Sequence, residues 1–254
     1  MPDFLKPFEA DLKKYEREAL KITASPINAN PLEDKLELKD SKFLGTPFFP
    51  VGNTYPTDKN GKPMVLLVQL NFEQIPNLEN FPKDGILQLF LSAESWYDDG
   101  YKIIYLKKED LEKNPVTDFS FLEPEDYEDI PVHKPHKLSF EKITDKGSCM
   151  DSQFDYSFDD MNYWDFAETL EEDQKAILNN YFDASGHKLG GYAEFTQEDP
   201  REISPETFDD IQLLQIDTDK HIMFGDGGIA HIFINKENLM KKDFSKAYFY
   251  WDCF

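Results

Sequence analysis

The chain has 254 residues, with 50 Asp and Glu against 27 Lys and Arg, a net charge of −23, and is 40% hydrophobic and 15% aromatic. That aromatic content fills a substantial core and excludes wholesale disorder. The negative field repels phosphate backbones, which excludes nucleic acid as a partner, and speeds encounter with basic proteins. No apolar run approaches the roughly 20 residues a bilayer span requires, so no membrane association is expected. Cys149 and Cys253 stand far apart, outside any CxxC spacing, and read as free thiols of a reducing compartment. The opening MPDFLKPFEADLKK lacks a basic stretch followed by an apolar one, so no signal peptide is expected and the location is read as cytoplasmic.

From the N-terminus, Phe4, Leu5, Phe8, Leu12, Tyr15, Ala19 and Ile22 recur near a 3.6 period. That spacing predicts an amphipathic helix over 3–22, stopped by SPINANP. Apolar β-type runs come next, at 64–72, 85–92 and 101–108. Segment 109–162 is rich in Asp, Glu and Pro and reads as an irregular surface connection. A short helix is expected over Leu170–Tyr181, with Thr169 as its N-cap. Further β-type runs occupy 211–217, 221–225, 229–235 and 247–254.

Few helical patterns separate these runs, so the expected class is α+β with a mainly antiparallel sheet. The expected organisation is a single domain, 1–254. It comprises an N-terminal helix (1–30), a first β unit (40–108), an irregular acidic connection with a short helix (109–183) and a second β unit (185–254). The two units read as an internal duplication. KFLGTPFFP, VLLVQLNF and DGILQLFLS are answered in order by HKLGGYAEF, IQLLQIDTD and GGIAHIFIN. Gly45 pairs with Gly190, Gln69 with Gln215 and Phe90 with Phe233, at offsets of 145, 146 and 143.

HIMFGDGGIAHIFIN (221–235) raises the question of a phosphate loop. It lacks the Lys and Ser/Thr of a P-loop, and the segment after its glycines alternates like a strand. Gly227 or Gly228 is therefore expected to supply a positive φ for a tight connection. Asp217, Asp219 and Asp226 are hard-cation donors in type, but DTDKHI lacks the calcium-loop residues, and turn chemistry accounts for them. The five histidines form no zinc pattern, and there is no nucleophile elbow. No metal and no cofactor are expected. Arg201, one of two arginines, either grips a substrate carboxylate or bridges Asp199 or Glu202.

SKFLGTPFFP, PMVLLVQLNFEQIP, DGILQLFLS, GGYAEFTQEDPR, LLQIDTD, IMFGDGGIAHIFI and the terminal YFYWDCF together resemble the YwqG-like family, a bacterial family of unknown function, over about residues 40–254. Its typical member has Gly-Gly where this chain has Leu44-Gly45, and often a Trp where Tyr55-Pro56 stands. The resemblance implies no activity, cofactor or catalytic residue. Some members are encoded near secreted polymorphic toxins, which implies at most a protective or accessory role.

The expected function is an acidic protein-binding module for a basic protein partner, immunity-like or accessory to a toxin system, and more a binder than an enzyme. The alternative is a small-molecule or metal-dependent enzyme, with Arg201, Gln69, Gln215, Asp217 and Asp226 lining a groove between the two β units.

Overall fold

The computed structural model describes residues 1–98 and 100–254. Its strands are β1 (Arg17–Pro26), β2 (Lys42–Phe43), β3 (Val65–Asn71), β4 (Ile86–Leu91), β5 (Tyr101–Leu106), β6 (His136–Asp145), β7 (Lys188–Gly190), β8 (Asp210–Ile216), β9 (Ile229–Asn235) and β10 (Tyr248–Asp252). They form one sheet in the order β10-β9-β8-β7-β1-β6-β2-β3-β4-β5, every pairing antiparallel. The sheet curls into a nearly closed barrel. Its outer strands approach each other through aromatic rings, Tyr101 of β5 lying 5.6 Å from Phe249 of β10. Phe43, Leu66, Leu70, Leu214, Ile232 and Phe249 belong to the main core.

β3 and β4 are buried along their whole length, which is why they read as continuous apolar runs rather than alternating ones. Phe48, Ile86, Leu106 and Leu111 form a separate small core. A second core joins the N-terminal segment to residues 154–192 through Leu5, Leu12, Phe158, Phe166, Leu178 and Tyr192.

The expected helix over 3–22 is overturned in its second half. A 3-10 turn (Asp3–Phe8) leads into α1 (Glu9–Tyr15), and the chain then extends into β1. Ala19, Leu20 and Ile22 are buried in β1, which pairs along its length with β6 and over Ala19–Lys21 with β7, so both of its edges find partners in the sheet. The connection over 109–183 is less irregular than its composition suggests, since it contains β6 itself. It also contains α2 (Tyr163–Glu168) and α3 (Glu172–Tyr181). The expected helix at 170–181 is α3, but its N-cap is Glu171, in a capping box with Gln174. Thr169 caps the C-terminus of α2. The expected run at 221–225 forms only single bridges, Val132 to Ile222 and Phe224 to Gly228.

On either side of the central β1–β6 pair, one strand pairing carries a register shift. β3 and β4 shift register between Leu66 and Val68, and β8 and β9 shift between Gln212 and Leu214. Each shift is a β-bulge, a device that bends a strand and increases its twist.

Candidate functional site

Past Leu44, whose N–H still donates to the Leu67 carbonyl of β3, the backbone after β2, like that after β7, donates to side-chain acceptors. At the end of β7, Gly190 and Gly191 take φ of 67° and 75° and turn the chain off the sheet. A Cβ on Gly191 would stand 2.4 Å from Asp145 Oδ2, so only glycine admits this carboxylate. Asp145 Oδ2 accepts from the Tyr192 N–H (3.0 Å) and from Lys188 Nζ (2.8 Å). Asp151 Oδ2 accepts from the Ala193 N–H (2.6 Å), and Gln215 Oε1 accepts from the Glu194 N–H (2.9 Å). Gln215 Nε2 donates back to the carbonyls of Ala184 and Gly186, both at 2.9 Å.

The segment after β2 is held in the same manner. Asp34 Oδ2 accepts from the Thr46 N–H (2.6 Å), and Gln69 Oε1 accepts from the Phe48 N–H (2.9 Å). Gln69 Nε2 donates to the carbonyls of Leu38 (2.7 Å) and Asp40 (2.8 Å). Lys42, like Lys188, is buried on its strand. Its Nζ donates to the carbonyls of Glu37 and Thr46, both at 3.0 Å, and lies 3.9 Å from Asp34. Burial lowers its pKa.

In these bonds Gln69 corresponds to Gln215, Leu38 to Ala184, Asp40 to Gly186, Thr46 to Tyr192 and Phe48 to Glu194, each pair 146 positions apart. The same spacing puts Gly45 against Gly191 rather than Gly190, and Leu44, at φ 58°, against Gly190.

Of the candidates from sequence, Gln215 and Asp217 meet at one turn. Asp217 Oδ2 accepts from the Gly186 N–H (2.6 Å), and the Asp217 N–H donates to His187 Nδ1 (2.9 Å). Gln69 serves the matching turn on the other flank. Arg201 is wholly buried. Its guanidinium bonds Asp199 through Nε (2.9 Å) and Nη2 (2.6 Å), meets Asp151 Oδ1 at 2.7 Å, donates to the Asp210 carbonyl and sits 4.9 Å above the Phe233 ring. Asp226 is exposed in the glycine loop, where its carbonyl accepts from the Phe254 N–H. Among the described residues, no group of three or more His, Cys, Asp and Glu has the arrangement of a metal site.

The glycine loop is a turn built for close approach. Gly225 and Gly227 take φ of 57° and 68°. Gly228 does not, but a Cβ there would stand 2.0 Å from the Asp252 carbonyl and 2.4 Å from that of Phe224.

Sequence reasoning missed Glu194. It lines a cavity of about 660 Å³, with Tyr163 and Trp164 of α2, Asn179 of α3, Cys149 and Phe195. Ser148 Oγ donates to the Glu194 carboxyl (3.0 Å), and the Tyr163 hydroxyl donates to Asn179 (2.6 Å). Burial pushes Glu194 up to about 7, against the opposing Ser148 bond and Lys188 charge. Burial, and then the Glu194 charge, pushes the Cys149 thiol up to about 11. The arrangement is a carboxyl that changes charge near neutrality, beside a protonated thiol and an aromatic wall. The sequence signal for it was the acid standing where the matching segment has Phe48.

Residues 41–253 match the model of a protein family described as a domain of unknown function, DUF1963. No curated protein gives a significant match to the chain.

Proposed function

The chain belongs to the DUF1963 family, and we propose that this member is an acidic, cytoplasmic binding module that captures a basic protein partner. Its role on this reading is accessory or immunity-like, beside a toxin. The finer placement we propose within the family is the YwqG-like group. We also propose that the two flanks of the sheet descend from one duplicated β unit, a reading supported by the paired glutamines and their partners at a spacing of 146.

The observation that carries the partner reading is the segment 118–130. Phe119, Leu122, Tyr127 and Ile130 anchor it in the main core, while Asp118, Glu123, Glu125, Glu128 and Asp129 face solvent. Five carboxylates are thereby held on a short, fixed strip, beside an exposed Phe121. Asp126 is excluded from the strip because it is buried and paired with Lys62 at 2.8 Å. A charged strip on a fixed scaffold steers encounter without paying for ordering.

The test is capture of interacting proteins from the native cell at low and high salt, followed by association kinetics of the recovered partner. A basic partner is expected, with an association rate that falls between 0.1 and 1 M salt as the screening length shrinks from roughly 10 to about 3 Å. Neutralising the five exposed acids to Asn or Gln should slow association and leave dissociation nearly unchanged. An acidic partner, or a salt-independent association rate, defeats the reading.

The second reading is a small-molecule enzyme. It draws on a cavity of about 400 Å³ lined by Arg17, Leu78, Gly190, Gly191, Gln212 and Lys236, although Arg201, Gln69, Gln215, Asp217 and Asp226 are not part of that lining.

A further inference from the structure

The spacing of 146 that relates the two glutamine-held turns also relates what lies beside them. Next to the first turn, the Lys39 ammonium lies 5.0 Å above the Phe48 ring and donates to the Leu111 carbonyl (2.7 Å). The cavity at that place is small, about 310 Å³, and Lys39 and Phe48 form part of its wall. Next to the second turn, the position of Lys39 is taken by Ser185 and that of Phe48 by Glu194. The lysine is gone, its aromatic partner has become a carboxyl, and the cavity is about 660 Å³.

We propose that the Glu194 cavity binds an alkylammonium group from outside the chain, at the place matching the one that Lys39 fills with its own side chain. The lining supports a cation. Glu194 and Asp183 contribute to it and, among the described residues, no Lys or Arg does. Lys188, a buried cation whose charge acts on Glu194, is paired with Asp145 at 2.8 Å. Tyr163, Trp164, Phe182 and Phe195 supply aromatic surface for the alkyl chain and ring faces for the ammonium. Trp164 is 57% exposed on the cavity wall, where an arriving ligand would cover it. The ammonium has two sources, a free amine or a lysine of the basic partner. Only the second rests on the partner reading above.

Binding should depend on pH through Glu194. Of its titratable neighbours, Asp183 is a like charge that opposes ionisation of Glu194, Cys149 and Tyr163 both have pKa values raised by burial, and Lys188 remains paired with Asp145. A cation therefore favours the ionised Glu194 and displaces its proton, so affinity falls as pH drops below 7, by up to about tenfold per unit.

The experiment is calorimetric titration of the full chain with n-butylammonium and with Nα-acetyl-lysine amide, using pentan-1-ol as the uncharged comparator. Saturable binding of both cations at pH 8 is expected, weaker at pH 6, with no comparable binding of pentanol. Glu194→Gln should lose at least about tenfold in affinity, together with the pH dependence. Ser185→Lys, at an exposed position, should fill the cavity from within and block binding while leaving the thermal unfolding midpoint near that of the parent.

Absent cation binding, equal binding of pentanol, or unchanged binding in both variants overturns the proposal. If the cations bind but no basic protein is captured, the partner reading falls and the cavity proposal stands. If a basic partner binds Ser185→Lys as well as the parent and the small cations do not bind, the cavity proposal falls alone. If Ser185→Lys weakens both the partner and the small cations, the partner's lysine is the source.

Discussion

At the scale of single residues, the glycines of 225–228 separate two reasons for having no side chain. Gly227 is needed for its dihedral angle, since an added Cβ would meet nothing closer than Phe254 at 3.6 Å. Gly228 is needed for space, because its Cβ would overlap the Asp252 and Phe224 carbonyls. Gly227→Ala should therefore cost about 1 kcal/mol, and Gly228→Ala more, about 1–3 kcal/mol with displacement of β10 from β9. Urea midpoints decide the order; equal losses would refute this division of roles. Arg201 was legible as an unusual residue but not in its role. A guanidinium gripped by Asp199 and Asp151 is a structural cross-link between the 151 loop and the turn at 199. Arg201→Leu leaves two buried carboxylates without their cation and should destabilise the fold by about 3–5 kcal/mol. A variant of unchanged midpoint would show that the cluster is dispensable.

At the scale of elements, strands were legible where both faces are buried, because runs such as VLLVQLN need no alternation to be recognised. β1 was not. Its Ala19 and Ile22 continue the helical period of Leu12 and Tyr15 across Glu16, and periodicity alone does not reveal where one element ends. β6 was hidden by its composition, with only His136, Leu138 and Asp145 fully buried among its ten residues. The glutamine-held turns are the elements that shape the candidate site, and they were visible in sequence only as a shared Leu-x-Gln. Gln69→Leu leaves the Phe48 N–H and the Leu38 and Asp40 carbonyls without their partner. Gln215→Leu does the same to the Glu194 N–H and the Ala184 and Gly186 carbonyls. Each should cost about 1–3 kcal/mol per group left buried and unpaired. The two losses should add in the double variant, because the turns share no partner. Chemical denaturation of the three variants measures this, and strong non-additivity would mean the flanks are coupled through the sheet.

At the scale of the whole molecule, buried titratable groups set how stability depends on pH. His231 faces Gln212 at 3.0 Å, and burial, reinforced by the Arg201 charge, depresses its pKa to about 3 from 6.5. Below pH 6.5 the unfolded chain takes up a proton that the folded chain refuses. Stability is therefore lost as pH falls from 6.5 toward 3, at about 1.4 kcal/mol per unit for this one group. Glu194 acts in the opposite sense. Its pKa is raised in the fold, so its contribution is present below 4.5 and lost as pH rises through about 7. His231→Gln, which copies Gln88 of the other flank, should flatten the acid limb by one proton. Glu194→Gln should remove the loss between about pH 4.5 and 7. Urea midpoints across pH 4–8 test both, and an unaltered acid slope in His231→Gln would assign the sensitivity to other histidines.

Composition and local pattern by themselves determined the acidic surface and the predominance of antiparallel strands. Both depend on residue type and short-range spacing, which the chain carries before it folds. Only the tertiary structure decided that β1 and β6 pair at the centre of one curled sheet, that Arg201 is buried between two aspartates, and that Glu194 overlooks an open cavity where Phe48 has Lys39 above its ring. Each of these depends on partners brought together from distant parts of the chain. Burial by those partners, absent from any local window, is what moves the Glu194 pKa toward neutrality.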